Sequence, residues 1–213
     1  MATIDVESPR GRPTTLHFRK DTTTDLATIG STFRLWGKLD DEYRLADIHS
    51  DGLMVDVGAH IGTVVIAFLV DNPAARGVAI EPLPENIDMI RMNAAEAGVA
   101  DRLTIVQGAF GTDAVYYGPD IHVYIGNLNP EADRAFVNVD RLNLSDFTPI
   151  DILKVDCEGC EWSIFADPAI AQVDRIIGEF HYRGTKTLKR LLRKTHTVTA
   201  DDADTGNFSA VRR

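Results

Sequence analysis

Apolar residues along this chain fall into short uninterrupted runs more often than into clean alternation. The runs at 53–57, 77–80, 103–106, 150–155 and 175–180 have strand length, and most are rich in Val and Ile. Such runs suit strands buried on both faces, as in a parallel sheet. Helix-compatible stretches lie between them, at 63–70, 84–97, 161–172 and 185–195. In the second, Ile87, Ile90, Met92 and the alanines from Ala94 to Ala97 give a partly amphipathic pattern; Pro84 can occupy the first turn and Gly98 can close it. In the last, Leu188, Leu191 and Leu192 share one side. Strands alternating with helices predict a doubly wound α/β sheet. At the end of the chain the rhythm changes: 196–200 and 208–212 are short strand candidates separated by Asp201, Asp202, Asp204, Gly206 and Asn207, which predicts an antiparallel hairpin. Between 112 and 148 no long helical pattern occurs, but 115–117, 122–125 and 136–139 can each form a short strand, so a small inserted sheet beside the substrate site is expected.

Composition changes this picture only at the margins. A chain of 213 residues with 44% hydrophobic content suits one sizeable core, read here as a single domain over 1–213 with residues 1–50 as an N-terminal cap. A formal charge of −10 argues against free duplex nucleic acid as a general partner, since that binding neutralises many phosphates with Lys and Arg. Cys157 and Cys160 are too few for the disulfide framework of a small secreted protein, and no signal-peptide pattern opens the sequence, so a reducing cytoplasm is expected. The apolar run at 64–70 is far shorter than a membrane span.

Candidate chemistry collects at the ends of the expected strands. The first runs into Asp56-Val57-Gly58-Ala59-His60-Ile61-Gly62 ahead of a helix, where glycine permits close backbone approach and free helix-start amides favour an anion. An acid two residues before the first glycine, with only two glycines, favours a nucleoside cofactor with an amino-acid end over a dinucleotide. The second strand ends in Glu81, 23 residues after Gly58, where an acid can accept from both ribose hydroxyls, a spacing that NAD shares. After the third, Gly108 and Ala109 leave room for an adenine ring. In the fourth, Lys154 and Asp156 share a face, as do Glu179 and His181 in the fifth. If those strands are neighbours, the four polar groups converge at the carboxyl edge of the sheet, with Asp156 and His181 as acceptor-side groups and Lys154 orienting a carboxylate or acidifying a hydroxyl. Glu158 and Glu161 sit where acids meet a helix dipole. No metal is assigned, and the spacing of Cys157 and Cys160 leaves a redox function as a rival. Arg183, Lys186, Lys189, Arg190, Arg193 and Lys194 read as a solvated face that can also attract a phosphorylated or nucleic-acid substrate.

The segment Lys154-Val155-Asp156-Cys157-Glu158-Gly159-Cys160-Glu161 closely resembles the Lys-x-Asp-x-Glu-Gly-x-Glu hallmark of the FkbM methyltransferase family. The family's Asp-x-Gly-Ala-x-x-Gly loop matches Asp56 to Gly62, and its acid-Pro pair matches Glu81-Pro82. Thr23-Thr24-Asp25 and Glu42-Tyr43 resemble its lead-in over the cofactor, and the likeness runs on to Glu179-Phe180-His181. His60 stands where Asn is usual, and the two cysteines replace aliphatic or small residues. The resemblance implies a class I, Rossmann-like methyltransferase fold, with which the expected C-terminal hairpin agrees. It also implies S-adenosylmethionine as cofactor, with Asp56 facing its ammonium directly or through water, held by Tyr43, Asp56, Gly58, Ala59, His60, Gly62, Glu81, Pro82, Gly108, Ala109 and Asp156. O-methylation of a small hydroxylated acceptor, a sugar or natural product, is the implied activity. The alternatives are a nucleotide or RNA ribose hydroxyl as acceptor, or a non-catalytic cofactor-binding protein of the same fold.

Overall fold

The computed structural model describes residues 1–118, 123–124 and 135–213. The chain opens on a hairpin, β1 (Ala2–Glu7) and β2 (Pro13–Phe18), followed by helix α1 (Thr24–Thr32). Next come β3 (Leu53–Val57), α2 (Thr63–Asp71), β4 (Arg76–Glu81), α3 (Pro84–Glu96) and β5 (Leu103–Gln107). Short strands β6 (Ala109–Phe110), β7 (Ala114–Tyr117), β8 (Val123–Tyr124), β9 (Ala135–Asn138) and β10 (Arg141–Leu142) lie between β5 and β11 (Ile150–Val155). The chain ends with α4 (Glu161–Ala166), β12 (Val173–Phe180), α5 (Gly184–Leu192), β13 (His196–Ala200) and β14 (Gly206–Arg212).

Seven strands form the central sheet in the order β13-β14-β12-β11-β3-β4-β5. Pairing is parallel from β12 across to β5, while β14 runs antiparallel between β12 and β13. The expected doubly wound sheet with a terminal antiparallel hairpin is therefore present. Chain direction across the sheet reverses at β3: β4 and β5 extend one way, and the chain returns to place β11 on the other side. The carboxyl ends of β3 and β11 flank this switch point, where such sheets open a crevice.

Both faces of the sheet are covered, which is why its strands read as continuous apolar runs. Met54, Ala79, Ile152 and Ile177 pack toward α1, α2 and α3, whereas Val55, Ile80, Leu153 and Ile176 pack toward α4 and α5. By this alternation Asp56 and Lys154 point to the α2 side.

Two segments differ from expectation, and a third is present as expected in its described part. The helix expected over 161–172 splits, because Pro168 supplies no amide donor and the Asp167 carboxylate accepts from Ala169 N at 2.8 Å to start a separate 3-10 turn, Pro168–Gln172. The hairpin β1–β2 lies in a segment read only as a cap; its tip is clasped by Asp71, which accepts from Ser8 Oγ at 2.5 Å and Arg10 N at 3.1 Å. The inserted sheet exists with order β8-β7-β9, but His122 and Ile125 of its expected middle strand lie outside the described residues. Among the described residues no helix is long and apolar enough to cross a membrane.

Candidate active site

At the switch point lies a cleft. Its walls come from the loop after β3, from Glu81 and Pro82 after β4, from Gly108 to Phe110 after β5, and from Asp156 to Glu158 after β11, with Glu42, Tyr43 and the end of α1 across the top.

The loop after β3 is shaped by its neighbour strand. Gly58 has φ +75°, and a Cβ built there would stand 1.9 Å from the carbonyl oxygen of Asp156. That glycine is required by the close passage of the chain leaving β11, a constraint internal to the protein. His60 also takes a left-handed conformation, φ 51°, which aims its amide at Glu81 Oε2, 2.9 Å away. Its imidazole reaches toward the N-terminal segment, with Nε2 3.6 Å from Asp25 Oδ1 and Nδ1 3.4 Å from Thr28 Oγ1. Asp25 in turn is forked by Arg19, whose Nη2 also donates to Asn86 Oδ1 at 2.8 Å.

Glu81 is 2% exposed yet lines the cleft. Its Oε1 accepts from Leu83 N at 3.2 Å and Asn86 Nδ2 at 3.0 Å. Burial raises its pKa to about 7 despite those donors and the His60 amide. Asn86 and the Arg19–Asp25 pair thus fix the acid from behind. Sequence reasoning did not single out Asn86, although a polar residue in the first turn of an otherwise buried helix face was the available signal.

Asp56 and Lys154 play a different part from the one expected. Asp56 is fully buried, does not line the cleft, and has Oδ1 3.1 Å from Lys154 Nζ, while Oδ2 accepts from Val65 N at 3.2 Å. It therefore cannot meet a cofactor ammonium directly; strand parity turns it toward α2. Lys154 Nζ donates to Gly58 O at 2.9 Å, so its ammonium ties the loop to β11. Burial pulls the lysine toward its neutral form, but Asp56 and Asp156 outweigh burial and raise its pKa. Its charge is taken up inside the protein, leaving Asp156 at 4.0 Å as a second neighbour.

The remaining wall is acidic. Tyr43 donates to Asp156 Oδ2 at 2.9 Å, and burial together with Asp156 pushes the phenol pKa well up, keeping it a donor. Directly beyond β12, the backbone amide of His181 donates to Glu161 Oε1 at 2.7 Å, and its Nδ1 stands 3.3 Å from the same oxygen. Nε2 faces Glu179 Oε2 at 3.6 Å and Glu158 Oε2 at 3.8 Å. Burial lowers the histidine's pKa, but Glu161, Glu158 and Glu179 raise it to about 9. Glu161, expected to meet the helix dipole, is fully buried and also accepts from Gly159 N at 2.8 Å, so it joins the hallmark turn to the end of β12. Cys157 and Cys160 are joined in a disulfide on the cleft wall.

Of the residues expected to hold cofactor or acceptor, Tyr43, Gly58, Ala59, His60, Glu81, Pro82, Gly108, Ala109, Lys154 and Asp156 line one cleft. Asp56, Gly62 and His181 do not: Gly62 starts α2 with φ 86°, and His181 sits behind Glu158 and Glu161. Glu42, Thr28, Ser31, Phe110 and Glu158 line it as well. None of the described residues of 112–148 does.

A family model described as the methyltransferase FkbM domain matches residues 56–195. Among solved structures, precorrin-6y C5,15-methyltransferase from Geobacter metallireducens GS-15 is similar at 17% identity and TM-score 0.52, covering 92% of this chain and 93% of that one. TrmN from Thermus thermophilus is similar at 14% identity and TM-score 0.51, covering 80% of this chain and 46% of that one. At such identities the likeness is one of fold. No curated protein sequence matches.

Proposed function

We propose that this chain, which belongs to the FkbM methyltransferase family and has a class I methyltransferase fold, methylates a hydroxyl group of a small molecule such as a sugar or a natural product. The cleft suits S-adenosylmethionine, which the family implies. A nearly inaccessible acid, Glu81, is held at the cleft wall by donors behind it and keeps acceptor capacity for ribose hydroxyls. Gly108 and Ala109 leave space for a flat ring beside it. Bound there, the cofactor supplies an electrophilic methyl group on a sulfonium.

The chain's own contribution is positioning and proton handling. Lys154 is a positioning residue: through Asp56 and Gly58 O it locks the loop after β3 to β11. Asp156 carries the hydroxyl reading. It presents a carboxylate to the cleft, oriented by Tyr43, and can accept the proton that a hydroxyl acceptor must lose. His181 lies behind that wall, which leaves Asp156 as the acceptor-side group. Labelled S-adenosylmethionine, incubated with a panel of hydroxylated saccharides and natural products, tests the reading. Label recovered in an ether linkage is expected. Label found only on carbon or nitrogen, or no transfer to any acceptor by protein that binds S-adenosylhomocysteine, would sink it.

A further inference from the structure

The acceptor side of the cleft holds more negative charge than one proton acceptor needs. Parallel pairing of β11 with β12 brings Asp156 and Glu179 to adjacent strand ends, with His181 just beyond. One ligand atom from each of Asp156, Glu179 and His181 lies within 4.8 Å of the other two. The nearby lysine, Lys154, is shared, held by Asp56 at 3.1 Å and standing 4.0 Å from Asp156. The imidazole supplies a second, independent observation. Its side chain is 7% exposed, and Nδ1 is turned to the fully buried Glu161. Nε2 makes no hydrogen bond among the described residues and is aimed into the carboxylates, 3.6 Å from Glu179. A carboxylate behind the far ring nitrogen, with the near one directed at acidic groups, is the arrangement that fixes a metal-binding histidine.

The geometry points to a divalent first-row cation, of the Mn²⁺ type, bound by Asp156, Glu179 and His181 at the edge of the cleft. One imidazole with carboxylate oxygens suits such an ion better than an all-oxygen cage. Three protein ligands leave coordination positions open, and one of the three, Asp156, stands in the wall assigned to the acceptor, with Glu179 and His181 behind it. The ion would hold the acceptor's oxygen and lower its hydroxyl pKa. That role, though not the binding itself, rests on the methyl-transfer reading.

Chelator-treated protein titrated with Mn²⁺, free ion being followed by electron paramagnetic resonance, decides the matter. Wild-type protein is expected to take up one equivalent. Glu179→Gln and His181→Gln are each expected to weaken uptake by ~10-fold or more, while S-adenosylhomocysteine binding is unchanged. The Glu179 side chain is 30% exposed, so its variant guards against loss of the fold. Absence of uptake by wild-type protein, or equal uptake by wild type and both variants, would overturn the site. Mn²⁺ uptake without S-adenosylhomocysteine binding would leave the cation site standing and remove the methyl-transfer reading instead.

Discussion

Glu81 and Gly58 show how differently residues that look alike in a motif can be constrained. Glu81 is buried as an acid with a pKa near 7, so the free protein holds it largely protonated below that pH. The sign for stability follows. Because its folded pKa lies above the ordinary 4.5, Glu81's contribution is fully present below pH 4.5 and declines as pH rises to about 7, then stays level. Ribose hydroxyls bind the ionised form better, so cofactor affinity should run the other way. Calorimetric titration with S-adenosylhomocysteine should show affinity falling as pH drops below about 7, with a slope approaching tenfold per unit. Glu81→Gln should lower that affinity by roughly 10- to 100-fold and flatten the profile; an unchanged profile would show that another group sets it. Gly58→Ala should instead cost stability, by ~3 kcal/mol or more in denaturant melts, since its Cβ would collide with Asp156 O at φ +75°. Glu81 was legible in the sequence from spacing alone. The work of Asp56 was not: the motif marked it, but only strand parity and the pairing with Lys154 show that it serves the loop from inside.

Among the elements, strand identity was the most readable feature, because burial on both faces leaves unbroken apolar runs. The split of α4 from the following 3-10 turn was written in Asp167-Pro168, a capping acid ahead of a residue without an amide proton, but apolar periodicity ran across it. The β1–β2 hairpin was harder to see. Ile4 and Val6 alternate with polar residues, yet its burial comes from packing beside α3 and from Asp71, contacts no local pattern announces. The turn from β11 to α4 holds the disulfide of Cys157 and Cys160. A bridge closing so short a loop restricts the unfolded chain little, so reduction should destabilise the protein by about 2 kcal/mol at most. Parallel denaturant melts with and without a thiol reductant measure this; a much larger loss would mean that the bridge organises the hallmark turn.

At the scale of the molecule, β4 and β11 flank β3 and carry two sides of one cleft, with the loop from Gly58 to Gly62 between them; in the proposed reading Glu81 serves the cofactor and Asp156 the acceptor. The fold class and the cofactor half were legible because each rests on a motif at a strand end. The acceptor half was legible only as a convergence of Asp156, Glu179 and His181, since Tyr43 and Glu161 reach it from distant segments. This division predicts that binding and transfer can be separated. Asp156→Asn keeps the size of the side chain and removes its charge, so one variant measured in two ways tests it most directly. S-adenosylhomocysteine affinity should stay within ~3-fold of wild type, while the rate of methyl transfer to a hydroxylated acceptor should fall by ~10²- to 10⁴-fold. Undiminished transfer by the variant, or loss of cofactor affinity in step with the loss of transfer, would contradict it.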